Sequence, residues 1–484
     1  MSEFPEEPLS SSASAGLGYF PVSHSQSLKN GHYKIIRKLG WGPRSSVWLA
    51  SYPEYVSSPS LPNNSWLTPY YFFSGPSVTE YCVIKILTAH ATDEYKSRGS
   101  QEVKVLESVK PQAAFNGLPV FYESFNESSI HGSHLCIVTL DILPDIEHTF
   151  RLSAPDQYLR VHTVKKIIAS IAESLHSLHQ SNIIHGGEWC FELKKIFFYT
   201  GWLSNVCVAT AVKPDNFSFR ISTIPRFLEP RLAGLPPFDV RPPVSVDGVD
   251  YPIAISQPLL HSNKWDDDRA STADYSVCLN NFGHGVSFTG FGFSSSHPLN
   301  PIAVQRVNKK ARWAAQNPSS LRPPEVILGS SPLSQKVDIW MLGCAAFLLL
   351  TGESLFSPEP QSDADHLARI AQLTGESFDA VVWKESSRYD EFFDQSGKLL
   401  SLHLPTLRFH CWRCVGKLKA DLSDGVVALE RRLSRLSEAD VEPAAEFIAY
   451  CLKVDPTKRP SALNLMDHSW LESGYECSCG YCMR

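Results

Sequence analysis

A lysine lies inside an apolar strand pattern, and a glutamate follows it in the next helical pattern. Lys85 lies within the strand pattern of residues 81–87, and Glu102 falls in residues 94–109, whose apolar residues have helical spacing. A charged side chain among apolar neighbours is unfavourable unless it is paired. Lys85 and Glu102 therefore predict an ion pair whose lysine could bind phosphate oxygens. An edge-strand lysine that points into water explains the strand pattern equally well.

A glycine turn comes before this strand. The run Gly40-Trp41-Gly42 follows Leu39 and separates two strand patterns, and Val47 lies near the start of the second. Glycines allow backbone amides to approach a phosphate closely because they carry no Cβ. An ordinary hairpin turn explains this run alone, whereas the lysine on the following strand favours a phosphate site.

Composition limits the classes of protein that this chain can belong to. Its 484 residues and 43% hydrophobic content fit one large two-lobed domain or two ordinary ones. The net charge of −6 predicts no general attraction to nucleic acid or to an anionic membrane. The acidic N-terminus is not a secretory signal, and the apolar run at 339–350 is too short to span a bilayer.

The cysteines indicate a reducing compartment. Twelve cysteines without a secretory signal predict free thiols, and hence a cytoplasmic or nuclear location. Cys477, Cys479 and Cys482 could bind zinc, but no fourth ligand stands at good spacing. An exposed tail with free thiols is the favoured interpretation.

The order of the patterns predicts an α+β chain with a small β-rich lobe before a larger, mainly helical lobe. We expect a flexible arm at 1–31, the small lobe at 32–141, the large lobe at 142–474 and a cysteine-containing tail at 475–484. The clearest predicted helix covers 163–178, where apolar residues recur with a 3.6-residue period. Further helices are predicted at 337–351, 366–374 and 444–452.

Several phrases of the sequence together resemble eukaryotic protein kinases, and more narrowly the SR-protein-kinase-like branch in its fungal form. They run from residue 33 to about residue 472, nearly the whole chain. The phrases are YKIIRKLGWGPRSSVWLA at 33–50, QEVKVL at 101–106, PSSLRPPEVILG at 318–329, KVDIWMLG at 336–343 and DPTKRP at 455–460.

The resemblance implies a two-lobed kinase-like fold that binds ATP with Mg²⁺. It implies that residues 140–143 form the hinge beside the adenine, that Glu325 pairs with Arg459, and that Asp338 anchors the catalytic loop. The nucleotide-binding positions would be Leu39, Gly40, Trp41, Gly42, Val47, Lys85 and Glu102.

Two positions depart from the kinase pattern. The run at 210–216, TAVKPDN, has Ala211 where the family has the catalytic aspartate, which orients the substrate hydroxyl and accepts its proton. Asn281, before Phe282, replaces the aspartate that binds Mg²⁺. Lys213 and Asn216 stand at the expected spacing, so Lys213 is the catalytic residue that remains. Asn216 and Asn281 are the candidate metal ligands.

The catalytic loop is also interrupted. The histidine that the family has directly before the loop is His185, but Thr210 follows only after the 24 residues 186–209. Translated intron sequence is one explanation, and a true insertion in a decayed kinase is another. A third aligns the loop on His185-Gly186-Gly187 itself, which also lacks the aspartate. Residues 401–418 are a second, weaker candidate for translated intron sequence.

Three functions follow from these departures. The first is a pseudokinase that acts as a scaffold for a protein partner, for which the resemblance suggests an Arg/Ser-rich protein. The second is an active serine/threonine kinase of low activity that uses Lys213, Asn216 and water. The third is the non-folding product of a damaged gene. The pseudokinase is favoured because both acids are missing, and neither nucleic acid nor a membrane is an expected partner.

Overall fold

The computed structural model describes most of the chain, in two compact units. The described residues are 4–23, 25–53, 79–98, 102–113, 116–144, 146, 159–186, 207–208, 212–259, 276–282, 286–287, 318–330, 334–356, 362–378, 380–394, 399–400, 429, 433 and 436–475. Unit 1 consists of 1–145, 218–262 and 276–287, and unit 2 of 146–217, 263–275 and 288–484.

The strands lie mainly in the first half of the chain. They are β1 (Ser27–Leu28), β2 (Tyr33–Gly42), β3 (Ser45–Pro53), β4 (Thr79–Leu87), β5 (Phe121–Ser129), β6 (Gly132–Thr139), β7 (Asp141–Ile142), β8 (Ile183–Ile184), β9 (Cys207–Val208), β10 (Phe217–Phe219), β11 (Ile221–Ser222), β12 (Val240–Val246), β13 (Val249–Ala254), β14 (Val277–Leu279) and β15 (Val286–Ser287).

The longer helices lie mainly in the second half. The α-helices are α1 (Ala89–Arg98), α2 (Glu102–Ala113), α3 (Val161–Gln180), α4 (Pro225–Ala233), α5 (Pro324–Ile327), α6 (Lys336–Thr351), α7 (Asp363–Thr374), α8 (Ala380–Trp383), α9 (Tyr389–Phe392), α10 (Glu438–Cys451), α11 (Ala462–Met466) and α12 (Ser469–Tyr475). The predicted α+β class, with a β-rich part before a mainly helical part, is confirmed.

Unit 1 is built on a six-stranded antiparallel sheet of order β1-β2-β3-β4-β6-β5. Its hairpin β2–β3 carries the glycine turn, and its central strand β4 carries Lys85. The strand β7 continues from β6 and pairs with β11, and β12 pairs with β13 in a separate hairpin. The sheet therefore holds the predicted phosphate-binding residues on adjacent strands.

The N-terminal residues pack onto unit 1, which differs from the flexible arm expected at 1–31. Phe4, Leu9 and Tyr19 are buried in one cluster with Tyr251 and Ile253 of β13. Strand β1 also pairs with β2 within this range. The scattered apolar side chains Phe4, Leu9 and Tyr19 pack on a hairpin strand that lies far along the chain.

Unit 2 is organised around two buried helices. Helix α3 contains the predicted 163–178 span, and its apolar face is buried. Helix α6 is buried over nearly its whole length and ends at Gly352, whose positive φ of 75° favours glycine. The other predicted helices at 366–374 and 444–452 correspond to α7 and α10.

The single helix predicted over 94–109 is two helices, α1 and α2. Gly99 and Ser100 stand between them in the sequence, and both are residue types that favour a break in a helix. Within the described ranges, no helix is long and apolar enough to cross a membrane.

Candidate nucleotide and catalytic site

The predicted ion pair in unit 1 is confirmed. The Lys85 ammonium donates to both carboxylate oxygens of Glu102, at 2.7 and 2.9 Å. Strand β4 directs the lysine toward α2, and the side chains are 25% and 7% exposed. Lys85 also lies directly opposite Val47 in the sheet. The ammonium is thus fixed in position while part of its surface stays open to a ligand.

The glycine turn is part of a regular hairpin. Gly40 lies opposite Val47 and Gly42 opposite Ser45, with a register shift just before Gly40. Neither glycine has a positive φ, and a Cβ on either would meet no atom within 4 Å. The space above both glycines is therefore open enough for a ligand to approach the backbone closely.

The N-terminal residues hold this turn from one side. The Tyr19 hydroxyl donates to the Gly42 carbonyl at 2.8 Å, and the Tyr19 ring meets the Trp41 ring edge to face at 5.9 Å. Lys38, just before the turn, is buried and forms ion pairs with Glu6, at 2.6 Å, and with Glu7. Burial raises the pKa of Glu7, and the nearby Lys38 ammonium opposes that rise. The sequence pattern gave no sign of these contacts, because the partners are more than twenty residues apart.

The start of the catalytic loop in unit 2 is anchored as the family resemblance implied. Asp338 of α6 is fully buried, and one of its carboxylate oxygens accepts a hydrogen bond from the His185 backbone amide at 2.9 Å. The same oxygen lies 2.9 Å from Nε2 of His179. A Cβ on Gly186 would come within 2.8 Å of Val337, so the chain passes close to α6 there.

Lys213, the expected catalytic residue, has an acidic neighbour. Lys213 Nζ lies 2.8 Å from Asp215 Oδ2, two residues away, and its side chain is 19% exposed. Asn216 is buried at the end of a short 3₁₀ helix, Pro214–Asn216. Ala211 lies outside the described residues, so its replacement of the aspartate rests on the sequence.

The interruption between His185 and Thr210 is described only at its ends. Strand β9, which belongs to residues 186–209, pairs in parallel with β8, Ile184 opposite Val208. The beginning and the end of the segment are therefore adjacent. Residues 187–206 and 209–211 lie outside the described residues, and the expectation of a poorly packed excursion stays a prediction.

The second departure from the kinase pattern has an unusual backbone conformation. Asn281 has a φ of 66°, in the left-handed region that asparagine tolerates better than most residues, and it is exposed. Phe282 beside it is buried, and Gly283 lies outside the described residues. Asn280 donates a hydrogen bond to Ser218 of β10.

The side chains at the candidate metal positions do not fit Mg²⁺ well. Asn216 and Asn281 offer neutral amide oxygens, whereas Mg²⁺ sites in proteins usually include one or two carboxylates. Among the described residues, no group of three or more His, Cys, Asp or Glu side chains could hold a metal ion. The lysine that would contact phosphate is therefore present, but the aspartate that the family supplies to the metal is replaced by Asn281.

The ion pair that the resemblance implied for unit 2 is also confirmed. Arg459 donates to both carboxylate oxygens of Glu325 at 2.6 and 2.8 Å, and both side chains are almost fully buried. The guanidinium also lies 4.9 Å from the centre of the Trp340 ring. Because Arg459 is buried between Glu325 and Trp340, we interpret this ion pair as a structural contact.

Residues 140–143, the expected hinge, contain an acidic residue that the sequence did not single out. Asp141 is fully buried, accepts a hydrogen bond from the Val120 amide at 2.9 Å, and lies 3.3 Å from the Arg220 guanidinium. Burial raises the pKa of this carboxyl, and Arg220 counteracts the rise. No motif pointed to this pair, because the two residues are distant in the sequence.

Comparison with known proteins identifies the family. The protein kinase domain model matches residues 302–471. SRSF protein kinase 3 of Mus musculus is 23% identical over 94% of this chain and 88% of its own length. The serine/threonine-protein kinase SRPK of Physarum polycephalum is 21% identical over 94% of this chain and 89% of its own. Serine/threonine-protein kinase SKY1 of Saccharomyces cerevisiae is 30% identical over 31% of this chain and 18% of its own.

These matches agree with the architecture and the confirmed contacts. A β-rich unit carrying Lys85–Glu102 and a mainly helical unit carrying Glu325–Arg459 together make the two-lobed kinase fold. The chain belongs to the protein kinase family, as an SR-protein-kinase-like member.

Proposed function

We propose that this protein is a pseudokinase, a kinase scaffold that binds a protein partner and transfers no phosphate at a useful rate. The observation that carries the proposal is the absence of a carboxylate at the two positions where the family does its chemistry, Ala211 and Asn281. Loss of a general base alone typically lowers a rate by ~10²- to 10⁴-fold. An amide in place of a metal-binding carboxylate lowers it further, because charge on the transferred phosphate is less well neutralised.

The surroundings of Lys213 support this proposal. In the family, this lysine neutralises the transferred phosphate. Here its ammonium lies 2.8 Å from the Asp215 carboxylate, two residues away. The positive charge that Lys213 would offer to the phosphate is thus partly neutralised by the neighbouring carboxylate.

A second candidate function is a serine/threonine kinase of low activity. The observation that favours it is the Lys85–Glu102 ion pair, which has the geometry that kinases need to hold a nucleotide phosphate. Asn216 would then bind the one remaining Mg²⁺, and water would replace the missing base.

The partner and the domain limits follow from the family. SR-protein-kinase relatives suggest an Arg/Ser-rich protein, in the cytoplasm or the nucleus, as substrate or partner. The small lobe would comprise 32–141 and the large lobe 142–474, with 186–209 as an insertion and 475–484 as the tail. Leu39, Gly40, Trp41, Gly42 and Val47 would cover whatever ligand Lys85 meets.

The experiment is a transfer assay with radiolabelled ATP, Mg²⁺ and an Arg/Ser-rich peptide. Lys85→Met, which removes the phosphate-binding ammonium, serves as the blank. We expect the wild-type protein to transfer no more radiolabel than this blank. Transfer clearly above it would establish the low-activity kinase instead.

A further inference from the structure

The segment 221–259 lies against the residues that the kinase resemblance assigns to the nucleotide base. We refer to 221–259 as the cover segment. We propose that the cover segment occupies the base subsite of the small lobe, so that a nucleotide base can bind there only by displacing the segment. This proposal depends on the kinase-like fold but not on the loss of transfer, since a pseudokinase can bind ATP.

The first support is a backbone contact with the hinge. Strand β11, at the start of the cover segment, pairs antiparallel with β7 of the hinge, Ile221 opposite Ile142 and Ser222 opposite Asp141. The Thr223 hydroxyl then donates to the Leu140 carbonyl at 2.5 Å. Hinge backbone groups that could meet an adenine ring are therefore used by the chain itself.

The second support is an apolar cluster. Ile221, Leu228 and Leu259 of the cover segment are buried at 4%, 0% and 5% exposure in one cluster with Leu49, Val83 and Ile142. Leu39 and Val47, two of the expected nucleotide-binding residues, are packed against the same cluster. An adenine ring needs an apolar slot between such side chains, and here aliphatic side chains of the chain fill it.

The third support is that the cover segment is tied down along its length. The Gln257 amide donates to the Lys38 carbonyl at 2.9 Å, directly before Leu39. The Arg37 guanidinium donates to the Pro236 carbonyl at 2.5 Å. The Tyr81 hydroxyl donates to Glu229 of α4 at 3.2 Å. These contacts tie the cover segment to β2 and β4 at residues 229, 236 and 257.

A nucleotide would have to displace this segment before its base could bind. Its apparent affinity would fall in proportion to the fraction of molecules in which the segment is released. The retained Lys85–Glu102 pair would still offer a phosphate contact. Part of the nucleotide site would therefore remain although the base subsite is filled.

Hydrogen–deuterium exchange of the whole protein tests the proposal, without and with saturating Mg–ATP. We expect slow exchange at 140–142 and 221–223 in the free protein, and no change with ATP. Faster exchange at 221–223 on adding ATP also supports it, because the base then displaces the segment. The proposal is overturned if 221–223 exchanges rapidly in the free protein. It is also overturned if ATP slows exchange at 140–142 while 221–223 stays slow.

A pair of cavity-forming substitutions gives a binding readout. Ile221→Ala with Leu228→Ala removes side chains from the cluster, and we expect adenosine to bind at least about tenfold more tightly than to the wild type. Leu106→Ala, equally buried in α2 but outside the cluster, is the matched control and should not change adenosine binding. A folded double variant that binds no more tightly than this control would overturn the proposal.

Should the double variant fail to fold, Thr223→Val keeps the shape and removes only the hydroxyl that bonds Leu140. We expect exchange at 140–142 and 221–223 to speed up about fivefold, the effect of one lost hydrogen bond. Unchanged exchange at these residues would overturn the proposal. A transfer assay on the same preparations reports separately on the pseudokinase proposal.

Discussion

The two ion pairs inherited from the kinase pattern differ in how they are enclosed. Arg459 and Glu325 are 0% and 4% exposed, and the guanidinium also donates to the backbone carbonyls of Lys453, Val454 and Lys336. Lys85 is 25% exposed, and Glu102 is its hydrogen-bond partner in the part of the chain that the structure describes. The first pair is part of the buried interior of unit 2. The second leaves an ammonium partly exposed, where a ligand can reach it.

This difference explains which features of the family have survived. A buried pair such as Glu325–Arg459 cannot lose one member without leaving an uncompensated charge in the interior. Ala211 and Asn281 stand where a family residue does chemistry and holds little of the fold. The scaffold contacts are thus retained while the two aspartates are lost, and the four predictions below test this contrast from the largest effect to the smallest.

Restoring the two aspartates tests the half of the contrast that concerns the lost chemical groups. We expect Ala211→Asp with Asn281→Asp to leave the transfer rate at the blank level while residues 186–209 and the cover segment are intact. Deleting 186–209 and adding Ile221→Ala with Leu228→Ala should then raise the rate by ~10²-fold or more, because the restored base would reach the substrate hydroxyl. Radiolabel transfer to the Arg/Ser-rich peptide measures it. Full rescue by the two aspartates alone would show that neither segment blocks the site.

Breaking the enclosed ion pair tests the other half. Arg459→Met should lower the free energy of unfolding by about 3–5 kcal/mol, because Glu325 would stay buried without its partner. Urea unfolding followed by circular dichroism measures the loss. Lys458→Met, at the neighbouring and 71% exposed position, is the matched control and should change stability by less than about 0.5 kcal/mol. Equal effects of the two substitutions would contradict the structural role.

The open ion pair should matter far less to stability. Lys85→Met should lower the free energy of unfolding by no more than about 1 kcal/mol, because a partly exposed pair gains little over its solvated ions. The same urea titration measures this change beside that of Arg459→Met. A loss as large as that of Arg459→Met would make Lys85 a structural residue and remove the contrast.

Acid should lower the stability of unit 1 through a buried histidine. His134 of β6 is fully buried, with Nδ1 2.8 Å from the Leu87 carbonyl and Nε2 2.7 Å from the Ser129 hydroxyl. Burial lowers the pKa of His134 below its usual 6.5, and the bond to Leu87 partly offsets this. Its folded state therefore binds fewer protons than its unfolded state.

The sign of the pH effect follows from that lowered pKa. The contribution of neutral His134 to stability is present above about pH 6.5 and is lost as the pH falls below it. We expect unfolding at pH 5 to need less urea than at pH 7, with a smaller pH effect in His134→Gln. An equal loss in both proteins would assign the acid sensitivity to other groups.

The sequence predicted the parts of the site that lie within strong local patterns. Lys85 and Glu102 were recognised from a strand and a helix, and helix 163–178 from its period, because local spacing reports which face is buried. The family phrases supplied Glu325–Arg459 and the Asp338 anchor, both of which the structure confirms.

The remaining contacts could not be predicted because they join distant, irregular segments. Phe4 and Tyr19 pack on β13, more than two hundred residues away, so 1–31 reads as a flexible arm in the sequence. Thr223 and Ile221 stand in a proline-rich stretch with no period, yet they pair with the hinge. Pairings of this kind depend on the tertiary fold and leave no periodic signal.

The most direct measurement of the central claim is the phosphate transfer rate of the wild-type protein beside Lys85→Met. Both proteins should first show the same cooperative urea transition, within about 1 kcal/mol, so that a folded scaffold is established. We predict that the wild type then transfers no more radiolabel to the Arg/Ser-rich peptide than Lys85→Met does. A wild-type rate reproducibly above that blank would contradict the account, because it would show that the chemistry survives without the two aspartates.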